Sequence, residues 1–257
     1  PTGMQNWCPR EVGDWTLSAE HTCDIVQHLL ALCSPPGGCY RILIIGTGYS
    51  DLLGALSQLQ RTAQVGKFYI SITDVDDAAL SYQEECAKRH PRSSGLEVSV
   101  STLDITDPKA EIGTFDLIID KGTLDAIQVL KGYGPQVARR AVANLLQRAL
   151  TETGVYLNVT IFIPETRRLL LPLCSNRQGV GTWSVVMAQI HYQIQRPTSR
   201  GRRTSKFQWY GVFLAAKGNE FGKQAVSVGK YTLEFAPIRS FPTDQIQPGA
   251  GFFKGQG

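Results

Sequence analysis

The chain reads as an α/β domain on a doubly wound, mostly parallel sheet, and three observations predict it. Near-continuous apolar runs at residues 40–45 and 115–119 are what strands show when both sheet faces are covered. Such runs alternate with segments of helical period, which implies crossover connections between parallel strands. The last two strand-like segments, residues 183–195 and 207–216, are joined without a helix, which implies an antiparallel pair at the sheet's edge. A chain of 257 residues, 42% apolar and 9% aromatic, is large enough for one such domain with additions.

Each element has its own signal. Residues 1–17 mix Trp, Pro and Gly and read as irregular. Ile25, Val26, Leu29, Leu30 and Leu32 recur near helical period over residues 18–32, with Ser18 as N-cap. Ser34, two prolines and two glycines stop that helix before the strand at 40–45. Residues 50–59 read as a helix with Leu52, Leu53, Leu56 and Leu59 facing inward. A strand at 67–73 ends on Asp74, a helix covers 77–89, and an alternating strand at 96–103 ends on Asp104. After the strand at 115–119, a helix spans 136–150, a strand 154–161 and a short helix 164–173 with Pro164 in its first turn. No linker divides this series, so residues 18–217 read as one domain and 218–257 as an extension rich in Pro, Gly and Gln.

Composition narrows the function classes. No apolar run approaches the roughly 20 residues of a membrane span. The opening Pro1-Thr2-Gly3-Met4 has no charged-then-apolar pattern, and the six cysteines are scattered without a Cys-x-x-Cys pair. Free thiols in a reducing, cytoplasmic setting are therefore expected. Net charge is only +4, but Arg196, Arg200, Arg202, Arg203 and Lys206 cluster among small polar residues. That stretch reads as an exposed basic loop, either merely solvated or a dock for an acidic partner; nucleic acid stays open. His21, Asp24 and His28 share one helix face but read as solvated, so no metal is expected.

Four strand ends carry the candidate chemistry. Gly46-Thr47-Gly48-Tyr49-Ser50 is a small-residue turn between strand and helix, where backbone can approach a ligand. The third glycine of a dinucleotide fingerprint is replaced by Asp51, an acid that opposes a pyrophosphate. Asp74, followed by Val75, suits two ribose hydroxyls, with Asp76 or Asp77 as the next helix's N-cap. Asp104 and Ile105 suit an adenine, the carboxylate taking its exocyclic amine. Asp120 and Asp125, in Phe115-Asp-Leu-Ile-Ile-Asp-Lys-Gly-Thr-Leu-Asp-Ala126, stand at the end of a buried strand. All lie at carboxyl ends of parallel strands, where open α/β sheets bind ligands.

The glycine turn, the acid after the second strand and above all Asp120-Lys121-Gly122-Thr123-Leu124-Asp125-Ala126 resemble the seven-β-strand, Rossmann-like methyltransferases that use S-adenosylmethionine. The seven-residue block is similar to the methyltransferase-like protein lysine methyltransferases, including those acting on translation elongation factor 1 alpha. The resemblance covers about residues 14–217. It implies a seven-stranded sheet with an antiparallel edge strand and methyl transfer from a sulfonium to a lysine of a protein substrate. It places Gly46, Thr47, Gly48 and Ser50 around the methionine portion, Asp74 and Val75 at the ribose, and Asp104 and Ile105 at the adenine. Asp120, Lys121 and Gly122 would border the methyl. Asp120 and Asp125 would position the amine rather than act as general bases, since in-line displacement depends on positioning and desolvation. The chain departs from these relatives at Tyr49, at the single aromatic Trp15 and in the basic insertion. Three rivals remain: transfer to a small molecule or nucleic acid, a methyltransferase-shaped binding subunit without activity, and an oxidoreductase, which Asp51 disfavours.

Overall fold

The computed structural model describes residues 17–33, 35–62, 66–90, 95–130, 132–174, 183–197, 203–217 and 224–241. Residues 192–197 and 203–207 are described by backbone only. The elements run α1 (Ala19–Cys33), β1 (Cys39–Ile45), α2 (Leu52–Thr62), β2 (Lys67–Asp74), α3 (Asp77–Arg89), β3 (Leu96–Thr102), β4 (Phe115–Lys121), α4 (Thr123–Val129), α5 (Pro135–Ala149), β5 (Leu150–Thr160), α6 (Ile163–Leu170), β6 (Trp183–Pro197), β7 (Arg203–Lys217), β8 (Gln224–Val228) and β9 (Tyr231–Pro237).

The strands form one sheet in the order β3-β2-β1-β4-β5-β7-β6-β9-β8. Strands β1 to β5 pair in parallel, and β7 enters antiparallel between β5 and β6. The mostly parallel, doubly wound sheet matches the reading from sequence. The strand count does not: nine strands are present instead of seven, because β9 pairs with β6 and β8 with β9. The β6–β7 pair therefore does not itself form the sheet's edge.

Strand alternation sorts the apolar residues into two cores. Ile42, Ile44, Ile70, Leu117, Leu157 and Leu214 pack under α1 and α2 on one face. Leu43, Ile45, Ile118, Tyr156, Met187 and Phe213 pack under α4, α5 and α6 on the other. Residues 103–114, between β3 and β4, form no helix. The second face of β1–β3 is consequently open, and a cavity of about 640 Å³ lies there, lined by Arg41, Ser71, Glu97, Ser99, Glu111 and Phe115 among others.

The β8–β9 hairpin turns at Gly229 and Lys230, with Gly229 at φ 54°. It folds back onto α1, where Gly229 donates its N–H to Asp24 Oδ2 at 2.8 Å. The ring of His21 meets Tyr231 edge to face at 6.4 Å. His21 and Asp24 thus clasp this hairpin rather than facing only solvent. Val226, Val228, Leu233 and Phe235 bury the hairpin's inner side. Cys23, Cys33, Cys39, Cys86 and Cys174 are free thiols, with no bridge between Cys33 and Cys39. Among the described residues no helix is long and apolar enough to cross a membrane. Trp15, Cys8 and residues 198–202 of the basic loop lie outside the described residues.

Leu157 is fully buried at the centre of the sheet. Leu157→Ala is expected to cost about 2–5 kcal/mol of unfolding free energy, read by urea denaturation. A loss under about 1 kcal/mol would contradict a packed sheet centre there.

Candidate functional site

The parallel strands change direction of winding between β1 and β4. From β1 the chain runs outward to β2 and β3; from β4 it runs the other way to β5. The connections therefore leave on opposite faces, and a crevice opens at the carboxyl ends of β1 and β4. Gly46, Gly48, Ser50, Asp74 and Lys121 of the sequence-selected residues stand at or beside these strand ends, with Gly48 bonded to Asp74 and Lys121 to Ser50.

The β1 turn forms one wall. Gly46 and Gly48 take φ of 53° and 54°. Gly46 is required for a second reason: a Cβ there would lie 2.3 Å from Thr123 Oγ1. Thr123 approaches so closely because its hydroxyl donates to Ile45 O at 2.8 Å. Gln83, reaching over from α3, donates to Gly48 O at 2.9 Å and Ser50 O at 3.0 Å. Tyr49 packs against Tyr82 of α3, ring centroids 5.3 Å apart. Asp51 precedes the first turn of α2, and its carboxylate lies 2.7 Å from where a Cβ on Gly54 would sit. Negative charge already occupies the helix start where a phosphate would otherwise dock.

Asp74 joins this wall to the end of β2. Its Oδ2 accepts from Gly48 N at 2.8 Å, and its Oδ1 from Val75 N at 2.8 Å and Asp76 N at 3.0 Å. A carboxylate oxygen can accept two bonds, so Oδ2 retains capacity for one more donor. Val75 beside it is 62% exposed, an apolar surface at the crevice mouth. Asp76, not Asp77, caps α3 by accepting from Ala78 N. Farther out, Asp104 Oδ1 accepts from Thr106 N at 2.8 Å and Thr106 Oγ1 at 2.6 Å. Its Oδ2 accepts no bond among the described residues. Ile105 is buried.

The β4 end differs from the lip expected of it. Residues after Gly122 form helix α4, and Asp120 and Asp125 are both fully buried behind the rim. Asp120 Oδ1 accepts from Thr123 N at 2.8 Å and Leu124 N at 3.4 Å, and Oδ2 from Tyr156 Oη at 2.7 Å. Asp125 takes the Thr160 hydroxyl on one oxygen and Ile161 N, at 2.9 Å, on the other. The two carboxylates anchor α4 to β4 and β5. Asn158, fully buried and opposite Asp120 in the β4–β5 register, has no hydrogen-bond partner for its amide among the described residues. Burial raises the Asp120 carboxyl above its usual range, against the pull of the Tyr156 and backbone donors. Burial likewise pushes Asp125 up to about 7, with Asp120 and Glu165 adding to the rise. Lys121 points its amine to Ser50 Oγ at 3.4 Å, joining the two walls.

Thr123, Gln83, Tyr156 and Thr160 were not singled out in the sequence. Only Thr123, inside the seven-residue block, carried any signal.

No protein-family model matches the chain, and no curated protein matches it in sequence. Solved structures with a similar chain path include precorrin 8w decarboxylase of Methanobacterium thermoautotrophicum, 17% identical over 75% of this chain and 89% of that one, TM-score 0.45. An S-adenosylmethionine-dependent methyltransferase of Clostridium acetobutylicum is 11% identical over 79% of this chain and 93% of that one, TM-score 0.47. An S-adenosylmethionine-dependent O-methyltransferase of Thermotoga maritima is 14% identical over 78% and 66%, TM-score 0.47. These likenesses concern chain path alone, and the chemistry must be argued from the crevice.

Two outcomes test this geometry. Gly48→Ala should cost about 1 kcal/mol for positive φ, since its Cβ would meet nothing. Gly46→Ala should cost distinctly more, because Thr123 blocks it; equal losses in urea would disprove that contact. The second outcome concerns pH. Asp125 has a folded-state pKa near 7, above its ordinary 3.8, so the native chain holds a proton that the unfolded chain releases. Its contribution is complete below about pH 4 and is lost as pH rises to about 7. Asp125→Asn should flatten the fall in stability across that window; an unchanged slope would place the titration elsewhere.

Proposed function

We propose that the chain binds S-adenosylmethionine in the β1/β4 crevice and transfers its methyl group to a lysine side chain of a protein. The observation that carries the cofactor reading is the spare acceptor capacity of Asp74 and Asp104, at the ends of β2 and β3, beside a helix start already occupied by the Asp51 carboxylate. Asp74 has room for one ribose hydroxyl on Oδ2, Val75 offers an apolar bed for a base, and Asp104 Oδ2 is open to an exocyclic amine. Asp51 over α2 disfavours the pyrophosphate of a dinucleotide. The Gly46–Ser50 turn would face the methionine portion, where backbone can approach closely.

When bound, this cofactor supplies a methyl group on a sulfonium, a strong electrophile. The residues of the chain then have to hold, orient and desolvate. Asp74 and Asp104 orient the nucleoside. Asp120 and Asp125 work from behind the rim as positioning residues: they hold α4, and through Thr123 they hold the β1 turn. A lysine acceptor must lose its proton before attack, and a poorly hydrated crevice lowers its pKa. The lysine assignment is supported by the Asp120-Lys121-Gly122-Thr123-Leu124-Asp125-Ala126 resemblance.

A second reading is a cofactor-binding subunit without transfer. The complete burial of Asp120 and Asp125 favours it, since neither carboxylate meets an acceptor at the rim. Cofactor labelled at its methyl group, incubated with lysate protein, separates the two: label on lysine supports transfer, and binding without label supports the subunit.

Calorimetry should show S-adenosylmethionine and S-adenosylhomocysteine binding, and no binding of NAD. Asp74→Ala should weaken the cofactor by about 1–3 kcal/mol, the loss of a charge-assisted bond and of the Gly48 tether. Unaltered affinity in that variant would remove Asp74 from the site.

A further inference from the structure

Strands β6 and β7 outrun the sheet. Strand β5 pairs with β7 only from Val155↔Ala216 to Thr160↔Gly211. The β6–β7 pairing continues past that point through Ile190↔Tyr210 to Pro197↔Arg203. Because Thr160 is the carboxyl end of β5, the excess projects beyond the rim that carries the crevice. Eight further residues of β7 at about 3.4 Å each make a two-stranded ribbon reaching roughly 25 Å past the sheet. At its root His191 and Trp209, opposite each other in register, stack at 4.8 Å and 19°.

This ribbon has two further properties. Residues 203–209 of β7 have a strand partner on the β6 side alone among the described residues. Their other edge faces the lane of β5, extended over the rim. An unpaired edge is a template for another strand. The charge is also of one sign: residues 190–197 and 203–210 hold three Lys or Arg and no Asp or Glu. Arg196, Arg203 and Lys206 fall on the ribbon's two strands.

We infer that the open edge of β7 docks an extended acidic segment of the acceptor protein, added as a strand above the carboxyl end of β5. The inference rests on the transfer reading above. Strand addition favours a polypeptide over nucleic acid, because the edge offers main-chain donors and acceptors spaced for a peptide backbone. A second copy of this chain is disfavoured, because it would bring another ribbon of the same positive sign. The docked segment lies beside the crevice, so the arm presents neighbouring acceptor side chains to it.

The test uses the full chain and a fluorescent alternating Glu-Val decapeptide, read by anisotropy. Three companions share the assay: an alternating Lys-Val peptide, the Glu-Val peptide N-methylated at alternate residues, and an oligothymidylate. The Glu-Val peptide should bind, and raising salt from about 50 to 300 mM should weaken it. Arg203→Glu with Lys206→Glu should weaken it about tenfold or more, and the Arg203→Gln, Lys206→Gln pair by an intermediate amount. N-methylation should weaken it at least about fivefold, since it removes strand hydrogen bonds but not charge. Equal binding of the N-methylated peptide, indifference to charge reversal, or tighter binding of the oligothymidylate would each overturn the inference. Thermal melting verifies that the variants fold. Calorimetry with S-adenosylmethionine on the same samples keeps the two proposals apart: failure of the cofactor to bind sinks the transfer reading, whereas failure of the peptide sinks the arm.

Discussion

A carboxylate taken out of water must find donors, and the whole crevice is organised around how Asp120 finds them. It is fully buried at the end of β4. The Tyr156 hydroxyl reaches it from β5, and the N–H groups of Thr123 and Leu124 reach it from the start of α4. That fixes Thr123, whose own hydroxyl turns to Ile45 O at the end of β1. Gly46 must then be glycine, because Thr123 fills the space a Cβ would need. One buried carboxyl group thus ties β5, β4, α4 and β1 into a single junction, and the crevice is the upper side of that junction.

Asp125 repeats the device one helical turn later, binding α4 to the end of β5 through Thr160 and Ile161. Such paired burial is expensive, since each carboxylate loses its hydration. The raised pKa of both groups expresses that cost. The return is precision of placement: the short helix α4 is held by two hydrogen-bonded carboxyl groups rather than by its own seven residues, too few for a stable helix alone. Asp74 plays the matching part on the other wall, spending three of its acceptor positions on backbone N–H groups and keeping Oδ2 partly open. Carboxylates in this protein therefore divide into those that build the crevice and those that can meet a ligand, and burial sorts them.

Much of this was legible before any coordinates. Buried parallel strands announce themselves as apolar runs, so β1, β2, β4 and β5 were placed within a few residues. The acids at their ends followed. The hairpin β8–β9 was missed, although Val226, Val228, Leu233 and Phe235 alternate around a Gly-Lys turn; the surrounding Pro and Gly residues masked that period. Helix α4 was missed because its seven residues span too few turns to show an amphipathic period. Asp120 and Asp125 read as rim residues because a carboxylate at a strand end is ordinarily solvated. Beyond nearby backbone N–H groups, their burial draws on the hydroxyls of Tyr156 and Thr160, some 35 residues away in sequence, and no local pattern links them.

The sequence by itself determined the fold class, the order of its parallel strands along the chain and the acids that stand at the strand ends. It could do so because burial on both sheet faces and turn chemistry are written in neighbouring residues. Tertiary structure alone decided three other things: which acids face the crevice, how far β6 and β7 outrun β5, and which strand closes the sheet. Those depend on register and on contacts between distant segments. A shift of pairing, or one hydroxyl arriving from another strand, turns an exposed acid into a buried anchor without changing a residue nearby.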